Sequence, residues 1–492
     1  MPLLTQLNTL ESSGLIRLAA VQPELEYLFR HALVQDAAYA SLLKNDRKQL
    51  HLATCQAMEQ LYPEQRDELV ATLAYHYEKA EDNERAAHYF QRAGDLARDR
   101  YANVEALAFY QSALRLQTSI AASPHTLAQL HEECGDLAAI LGQHDEARDQ
   151  FDQVRALLGD TEPLWQARVH RKTGNTWIYR RQQAAAFQAF AAAEQALGAV
   201  PTEGIEAWQQ EWLQIHVDRH WLLYGLNQVE ELQASTDRVR PVLEQYGTAA
   251  QQANFYLGLL SLMHRLHRYT SPLEDIEYGK AGLAAAQRSG NPRTIASSEW
   301  VLGVAYLLRS DLAEAEHHLQ AGLRIVEKVG DLVTEFRCLT YLVVVYRRKG
   351  DLATVRQLLP RLIKATTEGQ AKEYFTVATA ATAWLAWREG QLAEARKIAQ
   401  EAFDAWQAIL PMLYPFQWQA LWLLIATTLR LGDIAAAVHY TQQLLAPEQQ
   451  AVPSDIQPAL EAALQSWADD QPEVTQRQLE QAVTQAQAQG YL

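Results

Sequence analysis

The chain has 492 residues, 48% of them hydrophobic and 9% aromatic, a composition that suits a well-packed chain and excludes a largely disordered one. Its 43 Lys and Arg against 59 Asp and Glu leave a net charge of −16, which argues against a general binder of nucleic acid or anionic membrane. Cys55, Cys134 and Cys338 are far apart and odd in number, which points to a reducing compartment and away from a disulfide framework or thiolate metal site. The first residues show no basic stretch followed by an apolar core, and apolar runs such as 339–345 and 421–426 are too short to span a bilayer. The expectation is a cytoplasmic protein.

In chain order, residues 1–60 stand apart. Leu3, Leu7 and Leu10 fall at helical spacing, residues 15–20 form a short apolar stretch after Ser13-Gly14, residues 24–30 read as extended, and residues 31–62 read as one helix. A helix, a turn and a small hairpin are the parts of half a winged helix, so this segment reads as a partial winged-helix junction whose other half would precede Met1. Beyond it the chain reads as helical throughout. N-terminal repeats occupy 61–200, degenerate repeats 201–290, C-terminal repeats 291–445, and a linker with capping helices 446–492.

The best-formed unit is 303–322. It reads as two helices, with Gly303 and Tyr306 on one face of the first and Ala315, Leu319 and Gly322 on one face of the second. Ser310-Asp311 ends the first and caps the second. The second-helix marker, a small residue followed at +4 and +7, recurs at Ala86/Phe90/Ala93, Ala106/Tyr110/Ala113, Ala147/Phe151/Val154 and Ala186/Phe190/Ala193. It returns at Ala315/Leu319/Gly322, Val355/Leu359/Leu362, Ala395/Ala399/Ala402 and Ala437/Thr441/Leu444, and its strictest steps are 39 to 42 residues. Two degenerate units should fill 203–290, with extra loop at 269–272. Breaks containing proline at 123–124, 200–201, 291–292 and 411–415 fall between units. A lone helix pair has little core, so the copies must stack.

The pattern Gly303, Tyr306, Asp311, Ala315, Leu319, Gly322 resembles the tetratricopeptide repeat, whose unit is about 34 residues. The longer step here predicts longer helices. HEAT and armadillo arrays share the length, but the Gly-Asp turn with a small residue four or five positions on is closer to the tetratricopeptide pattern. The resemblance implies an all-α, right-handed superhelical solenoid of about ten helix pairs, with 303–322 near the seventh. A second resemblance lies in residues 28–64 and 73–116. Phe29-Arg30-His31, Tyr39, Leu50-His51 and Ala106/Tyr110/Ala113 resemble the junction between winged helix and helical sensor in bacterial signalling ATPases of the STAND class, some of them fused to adenylate or guanylate cyclases. That implies a sensor arm. The chain has no GxxxxGK[ST], and Gly279-Lys280 lacks both the upstream glycine and the following hydroxyl, so ATPase or cyclase chemistry would sit on another module.

Few residues invite chemistry. His216 and His220 stand at i, i+4, a spacing that metals use, with His264 and His267 in the next unit, but no Glu follows the first His and no third ligand is evident. They read as packing histidines, and no metal or cofactor is expected. His31 and His51 have only Asp36 and Asp46 near them in sequence, so no catalytic residue is assigned. The sharper candidate is the surface lined by the first helices. Positions one, four and five after the helix crossing, and three before it, select Trp300, Arg347, Arg348, Trp384, Trp387 and Arg388, and then Trp422 and Arg430. Arg168, Arg171 and Tyr179 are weaker equivalents in earlier units. Aromatics and arginines in one groove can stack on and pair with a peptide's side chains, carboxylates or a phosphorylated ligand. The alternative is structural tryptophans beside solvated arginines. The expected function is a non-catalytic protein- or peptide-binding scaffold or sensor arm of a bacterial signalling system, with its ligand in the concave groove and neither nucleic acid nor membrane as partner. Rival readings are a fragment of a signalling ATPase or nucleotide cyclase, and a fragment of a DNA-binding regulator.

Overall fold

The computed structural model describes residues 3–20, 25–159, 161–179, 182–409 and 415–492. Among them are 24 α-helices and one two-stranded sheet. Of the predicted proline break at 411–415, all but Pro415 lies outside the described residues. The chain forms two compact units, residues 1–100 with 104–134, and residues 101–103 with 135–492.

The first unit begins with α1 (Leu3–Ser12), which buries none of its side chains, and the antiparallel hairpin β1 (Ile16–Ala20) and β2 (Glu26–Phe29). Ile16 pairs with Phe29, and the register slips between Leu18 and Ala20. The single helix expected over 31–62 is in fact two, α2 (Ala32–Ser41) and α3 (Lys44–Leu61). Leu42 and Leu43 are extended between them, which places Asp46 in the first turn of α3, where a negative charge suits the helix dipole. Next come α4 (Arg66–Lys79), α5 (Asn83–Asp99) and α6 (Asn103–Ser119). The stacked rings of Tyr77 and Tyr89 both donate to Glu59 on α3. Helix α7 (Pro124–Ile140) contributes to both units.

The second unit continues with α8 (His144–Leu158), α9 (Pro163–Tyr179) and α10 (Gln183–Leu197). The degenerate region is four further helices, α11 (Ile205–Gly225), α12 (Val229–Tyr246), α13 (Ala249–Leu266) and α14 (Leu273–Ser289), with a loop before α14. The regular stretch is α15 (Pro292–Leu308), α16 (Leu312–Val329), α17 (Leu332–Lys349), α18 (Leu352–Glu368), α19 (Lys372–Arg388) and α20 (Leu392–Gln407). The unit closes with α21 (Trp418–Arg430), α22 (Ile434–Leu444), α23 (Gln457–Ala468) and α24 (Pro472–Ala488).

The pairing rule is visible where a glycine sits beneath a large side chain. A Cβ on Gly135 would lie 2.5 Å from the Phe151 ring, one on Gly174 3.1 Å from Phe190, and one on Gly303 2.7 Å from Leu319. In each case the two residues are sixteen positions apart, on an odd-numbered helix and the next even one. Gly94 and Tyr110 repeat the relation between α5 and α6. Helix α5 also packs closely on α4, the side on which Ala86/Phe90/Ala93 marks a second helix, so it has a partner on each side. Helices in the array pack on both sides, and either side can show a small-large-small pattern. Counting α5/α6 as the first pair and α23/α24 as the last gives ten among the described residues, with 303–322 in the sixth.

From α15 to α20 the helices begin at 292, 312, 332, 352, 372 and 392, twenty residues apart. Ser310, Gly330, Gly350, Gln370 and Gly390 all take positive φ in the turns between them. Asp311, Asp331 and Asp351 follow as N-caps, each accepting from a backbone N–H three residues on. The step of 40 residues is therefore two equal steps of 20, and its helices run to 16–18 residues. Odd-numbered helices from α9 to α21 also touch the next odd helix, so they form one continuous layer, with the even helices behind it.

Candidate functional site

An even helix such as α16 buries a single stripe, Ala315, Leu319, Gly322, Leu323, Val326 and Val329. The odd helix α21 instead buries every residue from Trp418 to Leu429. A helix apolar all round has neighbours all round, so something covers the side of the odd layer that faces away from the even helices.

The cover is the chain itself. Residues 446–451 cross this inner face against the loop before α14: Ala451 N–H donates to the Arg268 carbonyl at 2.9 Å, Gln450 Nε2 to the Tyr269 carbonyl at 3.2 Å, and Arg268 Nη2 to the Ala446 carbonyl at 3.2 Å. Tyr269 packs on Phe416 with ring centroids 5.1 Å apart, and Phe416 on Tyr341 at 6.1 Å. Residues 489–492, just past α24, lie on the C-terminal end of α17. Arg348 Nε donates to the Gln489 carbonyl at 3.2 Å, and Arg347 Nη2 to the carbonyls of Tyr491 at 3.2 Å and Gln419 at 2.8 Å. The Tyr491 ring sits beneath the Arg348 guanidinium at 4.1 Å and edge-on to Trp418 at 5.0 Å. The tail was expected to act as a cap on the end of the array. In the structure its last residues return to α17, more than 140 residues earlier.

This closure corrects the expected exposure of the candidate residues. Trp300, Arg347, Trp384, Trp387 and Trp422 are all buried, Arg347 and Trp384 completely, so they do not line an open groove. Arg348 is half-buried, and Arg388 and Arg430 are exposed. The structure nonetheless brings the set together as stacked pairs. Arg388 lies 5.3 Å from the Trp384 ring, Arg430 4.8 Å from Trp387, and Arg347 6.0 Å from Trp384 and 5.4 Å from Trp418. Trp300 belongs further along the face, between Trp221 at 6.5 Å and Tyr341 at 6.3 Å. In the earlier units, Arg171 is tied to Glu211 and Asp218, Arg168 packs over Trp165, and the Tyr179 side chain lies outside the described residues.

Sequence reasoning missed Trp418, Phe416, Tyr341 and Tyr491. Trp418 could have been found, because it precedes Trp422 by one helical turn. Tyr491 could not, because nothing in a local period announces a contact with a residue more than 140 positions away.

Arg347 is the most unusual group on this face. Burial and the neighbouring Arg348 push its pKa down to about 9. Among the described residues its Nε and Nη1 have no hydrogen-bond partner, and neither do the indole nitrogens of Trp384 and Trp418. An unpartnered buried donor costs about 1–3 kcal/mol, whereas a buried cation–π contact returns about 2, so stacking does not offset the set. The histidines behave differently. His216, His220 and His264 are buried, and burial lowers their pKa to about 3, 4 and 3. His220 Nε2 shares a hydrogen bond with Ser235 Oγ at 3.1 Å, and Arg238 donates to His216 Nδ1 at 3.2 Å. In the first unit, His51 joins Tyr39 at 3.0 Å and His76 at 2.7 Å.

These observations define an α-helical repeat array of tetratricopeptide-like pairs, with an aromatic and arginine-rich inner face. No family model matches the chain, and no curated protein does. Among solved structures, a Rap protein complexed with Competence and Sporulation Factor is similar at 12% identity and a TM-score of 0.44, over 73% of this chain and 99% of that one. NprR in complex with its cognate peptide NprX is similar at 11% identity and 0.47, over 73% and 99%. A signal transduction ATPase with numerous domains and a tetratricopeptide repeat sensor, from Pyrococcus horikoshii, is similar at 13% identity and 0.45, over 95% of this chain and 60% of that one. No helix among the described residues is long and apolar enough to cross a membrane.

Proposed function

We propose that the second unit is a non-catalytic, cytoplasmic recognition arm that binds a peptide or an unstructured protein segment on the inner face of its odd-helix layer. One observation carries this reading. The face already holds irregular chain, residues 489–491, by arginine donation to main-chain carbonyls and by an aromatic side chain under a guanidinium. Main-chain recognition of this kind accepts any segment of suitable shape, and the surrounding aromatics select its side chains. An incoming segment would replace residues 489–492 and rest against the exposed Arg388 and Arg430. The test is selection of a displayed random-peptide library on the purified protein. A consensus should emerge that binds wild type at least ten-fold more tightly than an Arg388→Glu/Arg430→Glu double variant. Failure to enrich any consensus, or equal binding to both proteins, contradicts the reading.

A second reading, an arm attached to a signalling ATPase or cyclase module, draws support from the first unit. There Leu3, Leu28, Phe29 and Leu33 are exposed, Leu33 at 81%, and an isolated two-stranded sheet is marginal on its own. This surface fits a packing partner. An in-frame P-loop encoded upstream of Met1 is the expected finding, and an upstream region without any such module would contradict this second reading.

A further inference from the structure

Helix α2 buries none of its side chains, so little apolar burial holds it to the rest of the first unit. Among the described residues, its hydrogen bonds and ring contacts to other helices all belong to Tyr39. The Tyr39 hydroxyl shares a hydrogen bond with His51 Nε2 on α3 at 3.0 Å, and its ring meets the His51 ring edge-on at 5.8 Å. The far side of that imidazole continues into α4, where His51 Nδ1 lies 2.7 Å from His76 Nδ1 and Tyr75 stands edge-on to both rings. One chain of hydrogen bonds therefore joins α2, α3 and α4.

A contact of 2.7 Å between two ring nitrogens has room for one proton. Either His51 donates to His76 and accepts from Tyr39, or His76 donates to His51 and His51 donates to Tyr39. One added proton is tolerated, on His51 Nε2 with Tyr39 turned to accept in the first case, and on His76 Nε2 in the second. Another puts N–H against N–H, and the rings must part. The surroundings supply no negative charge to offset this. Arg47 on α3 lies 5.2 Å from the Tyr39 ring, and Lys79 on α4 lies 5.4 Å from the Tyr75 ring. The neighbouring carboxylates are engaged elsewhere, Glu81 with Lys44 and Lys48, and Glu78 with Arg115. Among the described residues no carboxylate bonds to either imidazole. Burial and then Lys79 lower the pKa of His51, and burial and then His51 lower that of His76.

We propose that Tyr39, His51 and His76 form an acid-sensitive latch, closed while the two imidazoles share a proton, whose opening frees α2 from α3 and α4. The latch is independent of peptide binding by the second unit. Its sign follows from the two states. Open histidines titrate near pH 6.5 and closed ones lower, so opening takes up protons and is favoured as pH falls through 6.5, by up to about ten-fold per pH unit for each histidine.

The test is amide hydrogen exchange of the full chain, read by mass spectrometry at about pH 7.5 and about pH 5.5 and corrected for the intrinsic effect of pH. In wild type the α2 amides should be protected at the higher pH and lose about ten-fold or more of that protection at the lower, while α5, in the same unit, loses about three-fold at most. His76→Asn, whose amide can replace Nδ1 in the hydrogen bond but does not titrate, should keep α2 protected at the higher pH and shrink the acid-induced loss by about three-fold or more. Tyr39→Phe leaves both imidazoles in place and removes the hydroxyl. It should lose α2 protection already at the higher pH, and it decides the matter if His76→Asn does not fold. An unprotected α2 in wild type at the higher pH, an equal loss in α5, an undiminished loss in His76→Asn, or a fully protected α2 in Tyr39→Phe would overturn the proposal.

Discussion

Gly303 and Gly174 occupy equivalent places in their pairs, yet the two seams differ in tightness. A Cβ at Gly303 would meet Leu319 Cγ at 2.7 Å and the Leu319 backbone nitrogen at 3.1 Å, so the facing helix itself must move. At Gly174 the nearest atoms belong to the Phe190 ring at 3.1 Å, which can yield by a few tenths of an ångström. Alanine also regains about 0.5–1 kcal/mol of helix propensity at either site. Overpacking costs about 1–3 kcal/mol, so Gly303→Ala should lower the Tm by about 1–3 °C while Gly174→Ala leaves it nearly unchanged. Similar melting curves for the two variants would contradict the seam described here. The histidines give a second prediction at this scale. His216, His220 and His264 stay neutral in the fold down to about pH 3–4, whereas the unfolded chain takes up protons near pH 6.5. The unfolded state binds more protons in that window, so stability is full above pH 6.5 and falls as pH drops, by up to about 1.4 kcal/mol per pH unit for each histidine. Urea unfolding between pH 7 and 5 should show this slope, and His264→Leu should flatten it; an identical slope in wild type and variant would contradict the assignment. The glycine seams were legible in the sequence because they are local in the repeat. The burial of the tryptophans was not, because what covers Trp384 and Trp422 comes from residues outside their own repeat.

At the level of the element, the array from α15 to α20 is a succession of equal 20-residue steps, each a helix of 16–18 residues and a turn whose last residue before the cap is left-handed. The period of about 40 was readable from Ala315, Val355 and Ala395, but its halving was not, because first and second helices bury different faces and so look unlike. The step also identifies a weak turn. Ser310 takes φ 67° where Gly330 and Gly350 take the same conformation without a Cβ. A left-handed non-glycine residue costs about 1–2 kcal/mol, more than the exposed 3.3 Å contact from Arg348 to Ser310 Oγ returns. Ser310→Gly should therefore raise the Tm by about 1–3 °C in a differential scanning experiment. A decrease would show that the Arg348 contact outweighs the strain.

At the scale of the whole molecule, the second unit is an array that closes its inner face with its own chain. Periodicity selects Trp300, Arg347, Arg348, Trp384, Trp387, Arg388, Trp422 and Arg430 as candidates on one face, and in the structure most of these stand in cation–π pairs. It could not foretell that residues 446–451 and 489–492 would lie across that face, since those contacts span up to 181 positions. Deleting residues 489–492 should uncover Trp418 and Trp422 and free Arg348 for an incoming segment. The most direct measurement is therefore a titration of one selected peptide against wild type, Arg388→Glu and the 489–492 deletion. The account predicts binding at least ten-fold weaker to Arg388→Glu and at least ten-fold tighter to the deletion than to wild type. Equal affinity for all three proteins would contradict it.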